Sequence, residues 1–100
     1  MAETKIRVTP EVCSYVDEEH LALTLEISLP GVPKDQIKLR MHSDSFNLSA
    51  PRDDIEYVTT MSFCCPVDAE KAEAHYENGL LRIHVPFLDV MKDAITIPIR

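Results

Sequence analysis

Tryptophan is missing from this chain of 100 residues, and glycine occurs only twice, at Gly31 and Gly79. Two glycines so far apart exclude a phosphate-cradling loop of the P-loop type and a Gly-x-Ser-x-Gly nucleophile elbow. Basic residues are also scarce: 10 Lys and Arg stand against 17 Asp and Glu, a formal charge of −7. Those ten are scattered from Lys5 to Arg100, so neither nucleic acid nor an anionic membrane is an expected partner. No apolar run approaches the roughly 18 residues that span a bilayer. Residues 1–5 lack the basic and apolar regions of a signal peptide, and a cytoplasmic protein is expected.

Cysteine is limited to Cys13, Cys64 and Cys65, an odd number without the spacing of a disulfide framework. Neighbours on a strand point to opposite faces, which would strain a Cys64–Cys65 bridge, so reduced thiols are expected. Cys64, Cys65, His75 and His84 match no zinc-knuckle or finger spacing, and neither a metal nor another cofactor is expected. His20, His42, His75 and His84 fall on the polar faces of predicted strands, where solvation is the default. The carboxylate pairs Glu18-Glu19 and Asp53-Asp54 fall in predicted turns, where solvation explains them, and no enzymatic activity is expected.

What the sequence does contain is alternation of period two. Over 20–30, Leu21, Leu23, Leu25, Ile27 and Leu29 share one face and Ala22, Thr24, Glu26 and Ser28 the other, the pattern of a half-buried strand. Ile37, Leu39 and Met41 alternate with Lys38, Arg40 and His42; Asp44-Ser45 punctuates, and Phe46 and Leu48 resume, which predicts a hairpin. Ala72, Ala74 and Tyr76 lead through Asn78-Gly79, a type I′ turn pair, into Leu81, Ile83 and Val85, a second hairpin. A further strand is predicted over 55–65, stopped by Pro66, and a short edge strand over 11–16. Helix is expected nowhere except a single turn over 87–91. The fold class is therefore all-β, an antiparallel β-sandwich of about seven strands.

The chain closes on Ile95-Thr96-Ile97-Pro98-Ile99-Arg100. In an extended conformation the three isoleucines lie on one face. Pro98 has no amide hydrogen and fits only an edge or an unpaired strand position, so the segment reads as a detachable strand that docks by its side chains. In an arbitrary β protein an ordinary last strand is the commoner reading of such a segment, as a plain turn is of Asn78-Gly79.

Three segments together resemble the small heat shock protein (α-crystallin) family. Leu29-Pro30-Gly31-Val32-Pro33-Lys34-Asp35-Gln36-Ile37 is similar to the family's leucine-proline-glycine turn followed by a charged pair and an isoleucine. Ala74-His75-Tyr76-Glu77-Asn78-Gly79-Leu80-Leu81 fits its alanine, three free positions, asparagine, glycine, aliphatic and leucine signature, and the terminal isoleucine-x-isoleucine occurs twice in overlap. The resemblance implies an α-crystallin-like, immunoglobulin-like sandwich over 11–86, a short arm over 1–10, and a tether with docking segment over 87–100. It also implies an ATP-independent holdase that binds unfolding client proteins, and self-association as a dimer or higher oligomer. Ile95, Ile97 and Ile99 would dock in a neighbouring subunit's groove lined by Ile37, Leu39 and Met41 on one side and Ala72 and Ala74 on the other. Burying two isoleucines contributes roughly 3 to 6 kcal/mol before the tail is ordered, a weak and reversible contact.

The chain departs from the family pattern in four places. The arm is short; only six residues, 49–54, separate Leu48 from Ile55; Met61 and Cys65 stand where an arginine and a leucine are frequent; and the tether over 87–94 reaches only ~26 to 29 Å when extended. That reach leaves docking in the same chain open beside docking in a neighbour. The short arm and loop also keep a second class of function in view, a co-chaperone-like sandwich acting as an adaptor for one folded partner. A redox role for Cys64 and Cys65 is a third.

Overall fold

The computed structural model describes residues 5–17, 19, 21–63, 65–88 and 94–100. Eight strands follow one another there: β1 (Ile6–Val8), β2 (Val12–Asp17), β3 (Ala22–Ser28), β4 (Lys38–Met41), β5 (Ser45–Arg52), β6 (Ile55–Ser62), β7 (Glu73–Glu77) and β8 (Leu80–Pro86). Two 3-10 turns, Lys34–Gln36 and Ala69–Lys71, precede β4 and β7. The strands form two four-stranded sheets, β1-β6-β5-β4 and β2-β3-β8-β7, so the protein is an all-β sandwich. Every pairing is antiparallel except β1 with β6, which is parallel.

The alternation in sequence becomes the core. In β3 and β8, Leu23 faces Val85, Leu25 faces Ile83 and Ile27 faces Leu81 across the ladder, and all six are buried. The other sheet supplies Phe46, Leu48 and Ala50 from β5 and Tyr57 from β6. Beyond the end of β6, Phe63 stacks on Phe46 with ring centroids 5.8 Å apart. Directly opposed apolar side chains are the unit of sheet stabilisation, and here one ladder lies over another.

Four expectations change in detail. Leu21, expected on the inner face of its strand, is 68% exposed, because its left-handed backbone (φ 49°) breaks the extended phase just before β3. The strand expected over 55–65 ends at Ser62: the Phe63 amide donates to the Asp44 carbonyl (2.7 Å) and the Val67 amide to that of Ser43 (2.8 Å), drawing the chain across the 43–44 bend. The segment expected as an arm contains β1, with the Ile6 amide donating to the Asp54 carbonyl at 2.9 Å. Of the turn expected over 87–91, positions 89–91 lie outside the described residues, and Phe87 instead bridges to Val67. Asn78 and Gly79 hold φ of 52° and 79°, as the type I′ turn requires.

Candidate docking groove

The two motif turns, fifty residues apart in sequence, meet in space. The Leu29 amide donates to the Gly79 carbonyl at 2.7 Å. The Tyr76 hydroxyl lies 2.8 Å from both the Leu29 and the Val32 carbonyl oxygens and donates between them. A Cβ placed on Gly79 would sit 3.2 Å from the Pro30 Cα, and one on Gly31, whose φ is +80°, would sit 3.0 Å from the Arg52 Cδ. Gly79 is thus required by backbone conformation and by close approach to backbone, and Gly31 by its left-handed conformation. Leu29 and Val32, only 0% and 4% exposed, anchor the joined turns to the core.

This junction fixes the start of β4 relative to β7, the edge strands of the two sheets on one side of the sandwich. Leu39 stands opposite Leu48, and Met41 opposite Phe46, so both project to the inner face. On β7, Ala74 stands opposite Ile83 and Tyr76 opposite Leu81, again inward. Ile37, Leu39, Met41 and Ala72 are half-buried and pack on the core, while Ala74 is exposed although it faces inward. An alanine covers little of the inner face around it. Lys38 and Arg40 alternate outward on β4, and Glu73, His75 and Glu77 are exposed on β7.

Ile95, Ile97 and Ile99 are 83%, 72% and 97% exposed. Among the described residues no group of three or more His, Cys, Asp or Glu is placed to hold a metal ion. His75 stands opposite Arg82 and His84 opposite Glu73, and the His84 Nδ1 lies 3.1 Å from the Thr24 hydroxyl. Cys13 and Cys65 are exposed thiols, and Cys64 lies outside the described residues.

Two polar clusters were not singled out from sequence. On the outer face of β2, β3 and β8, the Tyr15 hydroxyl donates to Glu26 Oε1 (2.7 Å), and Arg82 Nε and Nη2 donate to Oε2 (3.0 and 2.7 Å). The hydrogen bonds from Tyr15 and then Arg82 hold the Glu26 carboxyl below the usual glutamate range. The bond to Glu26 raises the Tyr15 hydroxyl above its ordinary value. At the β5–β6 turn, a hydrogen bond to Tyr57, followed by the Asp53 carboxylate, raises the Arg52 guanidinium further. Tyr15, Glu26 and Arg82 alternate outward on β2, β3 and the sequence-remote β8, and strand order brings them into one row.

Searches against protein-family models and against characterised proteins return no match. Solved structures do match. Heat shock protein 16.0 from Schizosaccharomyces pombe superposes with a TM-score of 0.75 at 19% identity, covering 94% of this chain and 77% of that one. The A102D mutant of hsp14.1 from Sulfolobus solfatataricus P2 gives 0.72 at 20% identity, covering 97% and 86%. A small heat-shock protein from Xylella fastidiosa, described as having a distinct high order structure, gives 0.69 at 18% identity, covering 93% and 94%. The fold of this chain is therefore that of the small heat shock proteins, the α-crystallin sandwich.

Proposed function

We propose that this protein is an ATP-independent chaperone of the small heat shock type, which holds unfolding client proteins and assembles by docking its terminal isoleucines in the groove between β4 and β7 of a neighbouring copy. The observation that carries this reading is the pairing of an exposed row, Ile95, Ile97 and Ile99, with an inward face left open at Ala74 beside the half-buried Ile37, Leu39, Met41 and Ala72. Two isoleucines buried there contribute roughly 3 to 6 kcal/mol before ordering costs, which makes one contact reversible and several in an oligomer cooperative through avidity. Such reversibility suits an assembly that exposes apolar surface on warming.

The test heats an aggregation-prone protein without nucleotide and follows light scattering. Suppression at near-stoichiometric ratios is expected; none, with the chain itself still folded, overturns the holdase reading. The adaptor reading is favoured by the two-residue β5–β6 turn at Asp53 and Asp54, which leaves no long loop to reach a partner subunit. A pull-down separates the two: a heterogeneous set of heat-labile proteins supports the holdase, and one stoichiometric folded partner the adaptor.

A further inference from the structure

The inner row of β5 reads Phe46, Leu48 and Ala50, all buried, and then Arg52. Period two thus carries a guanidinium onto the core face at the end of the sandwich, with its side chain only 33% exposed. It meets the phenol of Tyr57 and, through Nη1, the Asp53 carboxylate at 3.2 Å. Its Nε is buried and has no acceptor among the described residues. A buried charged donor without an acceptor is costly, and an incoming oxyanion relieves that cost.

Gly31 lies directly against this side chain: a Cβ there would sit 3.0 Å from Arg52 Cδ and 3.2 Å from Nε. With Lys5, Pro33, Gln36 and Asp53, these two residues rim a notch of about 390 Å³ between the turn before β4 and the β5–β6 turn. Lys5 is held there by a hydrogen bond from Nζ to the Asp53 carbonyl at 2.6 Å, which uses one of the three ammonium hydrogens. Arg52 and Lys5 bring two positive charges against the one carboxylate of Asp53, which is 81% exposed. The lining therefore carries a single net positive charge, on a chain whose formal charge is −7.

We propose that this notch is a receptor for a single carboxylate group, which the Nε edge of Arg52 and the ammonium of Lys5 hold between them. A guanidinium edge grips a carboxylate as a fork of two parallel hydrogen bonds, and the Nε–H is a prong that no described residue uses. Charge selects the carboxylate: a monoanion neutralises the notch, whereas a dianionic phosphate leaves excess negative charge on a chain already at −7. Withdrawal of the guanidinium from water strengthens its attraction for that charge. The carboxylate belongs to a small free acid or to an acidic side chain of another polypeptide, and the chemistry is common to both. This rests on the notch alone, and on neither the groove nor the holdase reading.

The test titrates the full chain with sodium acetate and with the blocked peptide acetyl-Ala-Glu-Ala-amide, at ionic strength held constant with sodium chloride, and follows the Arg52 Nε–H and Gly31 amide signals by NMR. Both signals are expected to move saturably with the carboxylates and not with chloride, and inorganic phosphate is expected to bind more weakly than acetate. Equal affinities for acetate and peptide assign the notch to a free acid; a tighter peptide assigns it to an acidic side chain. Arg52→Lys keeps the charge, loses the fork and is expected to weaken binding roughly tenfold, read at the Gly31 amide. Lys5→Gln is expected to weaken it roughly threefold with the melting temperature retained, and it decides the question alone if the Arg52 variant does not fold. A shift that chloride reproduces overturns the proposal, as does binding indifferent to both substitutions or phosphate held more tightly than either carboxylate.

Discussion

Tyr76 shows how much one side chain carries here. Its hydroxyl is a side-chain tie between the β7–β8 hairpin and the turn before β4, beside the backbone bond from Leu29 to Gly79, and lies 2.8 Å from both the Leu29 and Val32 carbonyl oxygens. Tyr76→Phe removes the hydroxyl donor from the Val32 carbonyl, while the Leu29 carbonyl keeps the Val32 amide at 3.3 Å, and is expected to lower unfolding free energy by about 1 to 3 kcal/mol in denaturant titration. Gly31→Ala places a Cβ at φ +80° and 3.0 Å from Arg52 Cδ. Arg52 is a flexible side chain that yields, so the left-handed backbone sets the cost, about 1 to 2 kcal/mol by the same measurement. Glu26 gives a pH signature. Its carboxyl is held low in the fold, so its contribution is fully present above the ordinary glutamate value near pH 4.3 and is lost as pH falls through the lower folded value. Glu26→Gln is therefore expected to reduce the melting temperature at pH 7 and to converge with the parent in strong acid; parallel curves across the acid range would remove that role.

At the scale of elements, the β3–β8 ladder holds the fold, because it is the central pair of its sheet and its six opposed aliphatics are all buried. Ile83→Ala opens a cavity at a position with 0% exposure and is expected to cost about 2 to 5 kcal/mol in equilibrium unfolding. The edge strands behave otherwise. On β7, Ala74 faces inward yet is exposed, so Ala74→Leu is expected to leave the melting temperature nearly unchanged while filling the proposed groove; a mass distribution unmoved by Ala74→Leu counts against that groove. How these elements were legible follows from period two. The alternations in β3, β5 and β8 stand in the sequence because each strand buries one face. β1 was not legible, since three residues, two of them exposed, give no pattern, and its pairing with β6 depends on a contact fifty residues away.

For the whole molecule, the prediction concerns the tail. Ile97→Ala with Ile99→Ala is expected to lower the oligomeric mass in light scattering without changing the melting temperature, because these side chains are 72% and 97% exposed and contribute nothing to the core. An unchanged mass distribution removes the docking role. Charge acts at this scale too: at −7 the copies repel, so moderate salt is expected to favour assembly by screening that repulsion.

The sequence by itself determined the all-β class, the two hairpins, the inward aliphatics and the exposed terminal isoleucines, because each follows from local periodicity, turn chemistry or the limits of proline. Only the tertiary structure decided that β4 and β7 are edges as well as β2, that the Leu29-Pro30-Gly31 and Asn78-Gly79 turns lock together, that Ala74 faces inward yet is exposed, and that Tyr15, Glu26 and Arg82 form one row. Those features depend on strand order and register, which are settled by packing two sheets face to face and not by any one segment's own preference.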